Sequence, residues 1–270
     1  MSRYRFLRQP RWVLFSALML GLVVLMVNLA LWQLRRLDEK RARNDRIAEA
    51  VAAAPLTLGN SSDLPEWRTV SATGTYDVAH QVLIRNRSFD GQAGFHVVTP
   101  LRLPDGRALL VNRGWIPLVS AGSDAPAPPP PPTGRVSVNG RVRPSQHKGR
   151  FLSPTDPPEG TLEQLYRVDV PRIAQQVPYQ LLPKYIELIS TAPEPTAPAP
   201  ALIPVPEPDE GPHLAYAGQW IFFSCCAVAG WILVVRRTAK ASSTSVAAPA
   251  NPTEPLEVST SQEATPHGPR

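Results

Sequence analysis

Apolar residues are laid out along this chain in two ways. Near each end they form unbroken runs, and between those runs they alternate with polar residues. Trp12 to Leu34 is 23 residues without a charge, and Leu214 to Val235 is 22. As helices these runs are about 34 and 33 Å long, enough to cross a hydrocarbon layer of about 30 Å. The first run is too long for a signal-peptide core, and no small-residue cleavage site follows it. Residues 35 to 53 contain neither Gly nor Pro and are rich in Arg, Glu and Ala. The pattern therefore extends the first helix as far as Pro55.

The middle of the chain changes period. Arg68 to Tyr76, Gln81 to Arg87, His96 to Leu103 and Ala108 to Arg113 are short β-branched runs separated by Gly, Asp and Asn, and they predict strands. Pro104-Asp105-Gly106 predicts a hairpin turn, and Asp77 and Asp90 also fall at expected turns. Val136 to Val142 predicts a further strand. Asp169 is placed to cap a short helix through Gln176, with Pro171 in its first turn. Lys184 to Ile189 predicts a closing strand.

Composition changes this picture at the linkers. Thirty-two of 270 residues are proline, roughly 12% against a usual value of about 5%. They cluster in Ala121 to Thr133, which predicts a stiff, solvated loop, and in residues 191 to 213, which predict a tether to the second apolar run. Thr238 to Arg270 is Ser, Thr, Ala and Pro, the composition of a disordered tail.

The net charge of +6 raises the question of nucleic acid. The basic residues concentrate beside the apolar runs, however, where they read as topology signals. No zinc-finger or RNA-binding motif accompanies them, so nucleic acid is not an expected partner. Glu207, Asp209 and Glu210 precede the second run, and Arg236, Arg237 and Lys240 follow it. That asymmetry puts its C-terminal end in the cytoplasm. Arg3, Arg5, Arg8 and Arg11 before the first run agree, while the basic cluster from Arg35 to Arg46 opposes. With the cleaner second run deciding, both termini lie inside and the middle lies outside.

The expected fold class is α+β. Two antiparallel transmembrane helices carry an extracytoplasmic antiparallel β-sheet or partial barrel with one or two short helices. The expected layout is a cytoplasmic N-terminus at 1–11, a transmembrane helix at 12–34, and an extracytoplasmic helix extension and β-rich domain at 35–190 that includes the proline-rich loop 121–133. A tether at 191–213, a second transmembrane helix at 214–235 and a cytoplasmic tail at 236–270 follow. The setting is the plasma membrane, with lipid as a partner.

Candidate chemistry is sparse. The two cysteines, Cys225 and Cys226, sit inside an apolar run, where small packing residues are the better reading than copper ligands. Cys226 and Gly230 have the small-xxx-small spacing of close helix approach. No His-x-x-x-His, Cys-x-x-Cys, P-loop or Ser-His-Asp set is recognisable, so no catalytic residue is assigned and an enzyme is not expected. A sensor is disfavoured because residues 238–270 are too polar to fold into an output domain.

Three segments together resemble the surfeit-locus protein family, assembly factors for cytochrome c oxidase. The first is Leu31-Trp32-Gln33-Leu34-Arg35-Arg36. The second runs from Gly94-Phe95-His96-Val97-Val98-Thr99-Pro100-Leu101 through Asp105-Gly106 to Val111-Asn112-Arg113-Gly114-Trp115-Ile116-Pro117. The third is His213-Leu214-Ala215-Tyr216-Ala217-Gly218-Gln219-Trp220. Their order within a two-span layout carries the resemblance, which covers about residues 12 to 237. It implies a role in maturing the haem- and copper-containing catalytic subunit of a terminal oxidase. The implied cofactor is haem A, and the implied partners are that subunit and the enzymes that make haem A. The alternative is a scaffold that stabilises oxidase subunits without binding haem.

Under that resemblance His213, at the start of the second helix, becomes the candidate metal ligand, since neutral imidazole is a good axial ligand for haem iron. The bland alternative is an interfacial histidine bonded to lipid phosphate. Trp32, Tyr216 and Trp220 are either members of a membrane aromatic belt, as Trp12 and Trp231 are, or walls for a porphyrin face. Gln33 lies beside them. Arg35 either snorkels to lipid phosphate or pairs with a haem propionate. Asn28 and Gln219 lie at matching depths. They are expected to hydrogen-bond across the helices, with contact to a haem edge as the alternative. Asn112 to Trp115 is expected to hold the fold first and touch partners second.

Overall fold

A computed structural model describes residues 4–59, 64–118, 126–147, 154–195 and 198–244. They form two compact units, one made of residues up to Leu37 together with those from Gly211 onward, the other of Asp38–Glu210.

The first unit is a pair of helices. Helix α1 runs Pro10–Ala52, so the continuation past Leu34 is present, and Pro10 opens it at the position where a missing N–H is harmless. Helix α3 runs His213–Thr244. Both are long and apolar enough to cross a membrane. Two hydrogen bonds show that they are antiparallel. The Nδ1–H of His213 donates to Gln33 Oε1 at 2.8 Å, and Trp231 Nε1–H donates to Ser16 Oγ at 3.1 Å. The bonded positions are about 26 Å apart on α1 and about 27 Å apart on α3 by helical rise, so the two helices run in register.

Packing within this unit buries Ala30 and Ala217, and also Met26 and Ser224. Cys226 and Gly230 do not supply the close approach expected of them. Cys226 is exposed, and a β-carbon on Gly230 would meet nothing within 4 Å. The expected Asn28–Gln219 bond is also not made. Asn28 Nδ2 donates instead to the Val24 carbonyl of its own helix at 2.8 Å, and both side chains are exposed. An amide one turn after a helix carbonyl can share that acceptor locally, with no need to order a partner. The tail expectation splits. Thr238–Thr244 continue α3, and residues 245–270 lie outside the described ones.

The second unit is a mixed sheet of eight strands. In chain order they are β1 Leu56–Thr57, β2 Thr69–Tyr76, β3 Val82–Phe89, β4 Gln92–Arg102, β5 Ala108–Pro117, β6 Arg135–Pro144, β7 Gln164–Leu165 and β8 Leu181–Ala192. A five-residue helix α2, Val170–Ala174, precedes β8. Asp169 caps it by accepting the Arg172 backbone N–H at 3.2 Å, as its sequence position predicts. The strand order is β1-β2-β6-β8-β5-β4-β3-β7, and β2 also pairs with β4 at Thr75–Arg102 and Tyr76–Leu101. Strands β2, β6, β8, β5 and β4 therefore close a ring, which fulfils the partial-barrel expectation.

The expectation of a purely antiparallel sheet is corrected. β5 and β8 run parallel, and so do the short pairs β1–β2 and β3–β7. The chain leaves β5, passes through β6, β7 and α2, and re-enters beside β5 from the same end, which is the long crossover that parallel neighbours require.

Burial follows from this closure. β2 and β6 alternate buried and open positions, with Val70, Ala72, Val136, Val138 and Val142 facing the ring interior. β5 is buried at nearly every position because both of its faces are covered. Leu109 and Val111 point into the ring. Ala108 and Leu110 point out under α2, against Val168, Ile173 and Tyr185. Unbroken burial of this kind is expected of a strand with layers on both sides.

The proline-rich segments are anchored to the sheet at a few points, while most of their described residues stay partly or fully exposed. Pro131 is buried, and Arg113 Nη2 donates to the Pro129 carbonyl at 2.8 Å; residues 121–125 of that loop lie outside the described ones. In the tether, Trp115 N–H donates to Ala201 O at 2.7 Å and Ala201 N–H returns the bond at 2.8 Å. Arg141 Nη2 also donates to the Ile203 carbonyl. Proline leaves carbonyls without local partners, and buried arginines take them up.

Candidate functional site

Of the residues singled out in the two helices, the structure joins His213 to Gln33. An amide oxygen only accepts, so Nδ1 of the His213 ring carries a proton, and in the neutral ring Nε2 is the nitrogen left to ligate. A histidine whose second nitrogen is held in this way is oriented, and its tautomer is set, for ligation through the other. The bond links the first sequence motif to the third, which are 180 positions apart.

The remaining candidates lie on the same two helices without closing a pocket over this pair. Trp32 is 50% exposed, Tyr216 47%, and Arg35 and Gln219 are also exposed. Trp220 is half-buried, with its ring edge-on to Phe223 at 6.2 Å. Between the helices lies an apolar cavity of about 370 Å³ lined by Ser16, Met19, Val23, Ala227 and Trp231, near the end opposite His213. Among the described residues no cluster of three His, Cys, Asp or Glu is placed to hold a metal. A single imidazole with an open coordination side suits a prosthetic group that brings its own equatorial ligands better than a bare ion.

In the β unit the second motif does structural work. Asn112 Nδ2 donates to His96 Nδ1 at 3.2 Å, and Asn112 Oδ1 accepts from the Gly114 N–H at 3.3 Å. Gly114 has φ of +131°, and the Ala201 carbonyl of the tether lies against it where a β-carbon would stand. The bend thus aims Trp115 at the tether. The Trp115 indole packs on Phe89 at 5.5 Å and donates to the Arg87 carbonyl at 3.2 Å.

Burial, and after it the charge of Arg87, push the His96 imidazole down to about 4. The unfolded chain takes up a proton near pH 6.5 that the folded chain refuses until about pH 4, so the associated stability is full above pH 6.5 and is lost as pH falls through that window. We expect the β unit to lose about 2–3 kcal/mol between pH 7 and 4 through this residue. Urea unfolding of His96→Gln across that range checks it, since the variant's stability curve should be correspondingly flatter.

Sequence reasoning missed the buried arginines Arg113, Arg141 and Arg172, and it missed a triplet at the end of β2. There Asp77 Oδ2 lies 2.9 Å from His80 Nδ1 and accepts the Tyr179 hydroxyl at 2.9 Å. Burial opposes ionisation of Asp77, but the bonds from Tyr179 and His80 outweigh it and hold the carboxyl below the usual range. Only Asp77 was legible, as a turn residue. The triplet contains no Ser, Thr or Cys nucleophile.

The sequence profile of the SURF1 family matches residues 20–225. An uncharacterized SURF1-like protein of Mycobacterium bovis is 29% identical over 239 residues, covering 85% of each chain, and one from Mycobacterium tuberculosis is equally similar. A SURF1-like protein of Caenorhabditis briggsae is 28% identical over 178 residues, covering 57% of this chain and 56% of its own. One from Dictyostelium discoideum is 35% identical over 104 residues, covering 34% of this chain and 38% of its own.

Proposed function

The chain belongs to the SURF1 family, an assembly-factor family linked to cytochrome oxidase, and from that premise we propose that it assists a haem-copper terminal oxidase by holding haem A for delivery to the catalytic subunit. The observation that supports this reading is the His213–Gln33 bond, which commits Nδ1 of a half-buried imidazole and leaves Nε2 as its other ligating atom. Haem brings an iron in a planar ring, with two propionates. His213 would serve as its axial ligand. Gln33 keeps that ring in orientation, and Arg35 and Gln219 are exposed nearby on the two helices for propionate or edge contacts. Trp32, Tyr216 and Trp220 supply aromatic surface at the same end of the pair.

The helices are read as spanning the plasma membrane with both termini cytoplasmic and the β unit outside. The oxidase catalytic subunit and the haem A-producing enzymes are the proposed partners, with lipid around the helices.

The full-length protein, purified from cells that make haem A, is expected to carry a haem spectrum. His213→Ala should abolish it, and Gln33→Leu should weaken haem binding about 10–100-fold, as loss of a ligand-orienting hydrogen bond does. An unchanged spectrum in His213→Ala removes the ligand assignment. A haem-free protein whose deletion still costs the cell its haem A oxidase band moves the reading to a subunit scaffold.

A further inference from the structure

We propose that the recess between β8 and the proline-rich segments binds a carboxylate carried on a small apolar group, as a polypeptide C-terminus or a short branched acid presents it. The recess has a volume of about 250 Å³, and Tyr76, Arg113, Pro132, Thr191, Pro200 and Leu202 are among its lining residues.

Its floor holds a cation that lacks a counter-charge. Arg113 is 3% exposed, with its guanidinium 5.8 Å from the Tyr76 ring centre. It donates to two neutral acceptors, Gln81 Oε1 at 3.0 Å and the Pro129 carbonyl at 2.8 Å. A guanidinium has five N–H donors, so capacity remains. Among the described residues no carboxylate lies within ion-pair distance of it, and burial lowers its basicity. Burying an unpaired charge is unfavourable, so an anion that enters is favoured by the full desolvated attraction.

Two residues with buried hydroxyls also line the recess. Tyr76 is 8% exposed, and its hydroxyl is buried without a hydrogen bond of normal geometry; so is Thr191 Oγ1, which lies near enough to affect the acidity of the phenol. A planar carboxylate takes a guanidinium edge and two hydroxyl donors at once. One buried cation and apolar walls favour this single charge over a phosphate. Strand β8 adds a further feature. It pairs with β5 only as far as Glu187, so among the described residues Leu188 to Thr191 have no strand neighbour on that side. An extended peptide ending in the recess could lie along that free edge. Glu194 lines the recess too, and its carboxylate would repel an entering acid.

The test is calorimetric titration of full-length protein in detergent with three probes: acetyl-alanyl-valine as the free acid, its C-terminal amide, and isobutyrate. Both acids should bind, with the amide about tenfold weaker or more, because it presents no charge to the buried cation. Tyr76→Phe, which keeps the ring, should weaken the acids about threefold to tenfold. Glu194→Gln should tighten them. A peptide acid that binds well above isobutyrate identifies a chain terminus as the ligand, whereas equal binding identifies a free acid. Equal binding of acid and amide, or no binding even to Glu194→Gln, overturns the proposal.

Discussion

Gly94→Ala is expected to cost the β unit at least about 3 kcal/mol and to lower its melting temperature by roughly 10 °C. A β-carbon at this position would meet the backbone carbonyl of Ile116 and stand 2.5 Å from Cε2 and Nε1 of the Trp115 indole. Neither neighbour yields easily. The carbonyl belongs to β5, which pairs with β4 on both sides of the contact. The indole is fixed by Phe89 and by its bond to the Arg87 carbonyl. Replacing glycine also restricts the unfolded chain, but that gain is only about 0.4–1 kcal/mol and does not decide the sign. Thermal melting followed by near-ultraviolet circular dichroism reads both the loss and the displacement of Trp115. A melting temperature within two or three degrees of the parent protein would mean that β4 and β5 separate more freely than their register implies.

Glu187→Ala is expected to be as severe, at about 3–5 kcal/mol, for an electrostatic reason. The Glu187 side chain is 12% exposed and lies between Arg141 at 3.7 Å and Arg143 at 3.5 Å, themselves 7% and 22% exposed. Burial holds the Glu187 carboxyl above the usual carboxylate range despite both arginines, so desolvation outweighs the attraction they supply. Such a group adds little net stability when intact and a large penalty when one partner is removed. The consequence is a strongly non-additive pair. Glu187→Leu combined with Arg141→Met should recover most of the loss, with a coupling of about 1–3 kcal/mol in a double-mutant cycle from urea unfolding. Additive losses would show that the carboxylate and Arg141 act independently.

The sequence was most informative where side chains repeat with a regular period. Val136 to Val142 alternates, and β6 occupies Arg135–Pro144 with its alternate residues inside. The Asp105-Gly106 turn forms, with the Leu103 and Arg107 backbones bonded across it. The continuation of α1 past the apolar run follows from residues that all favour helix. Pairing between distant strands was not legible. The parallel β5–β8 contact joins Ala108 to Leu181, and no local signal announces it. The sequence pattern ends this strand at Arg113, yet β5 runs on to Pro117, because β4 keeps pairing with it and the tether supplies a partner at Ala201 that only tertiary structure reveals.

The site was half legible. The order of the motifs placed His213 and Gln33 at one end of the helix pair, but the bond between them depends on packing. Asn28 was assigned by depth alone, and helix rotation sent it outward. Arg113 stood inside a recognised motif. Its burial without an acid is invisible in a count of charges.

The closed ring also bears on how this protein behaves in a crowded compartment. Intermolecular strand pairing needs exposed backbone along a sheet margin. Here the outermost strands, β1 and β7, are two residues each. The neighbouring margin of β3 carries Arg85 and Arg87, charges that repel a second copy. The other unpaired stretch, Leu188 to Thr191, opens onto a recess bordered by Pro132, Pro195 and Pro200, with room for one chain end rather than a second sheet. A domain without disulfides is thereby guarded against self-association by topology, and unfolding of the ring, rather than edge-to-edge docking of folded copies, is the step that would expose it to aggregation.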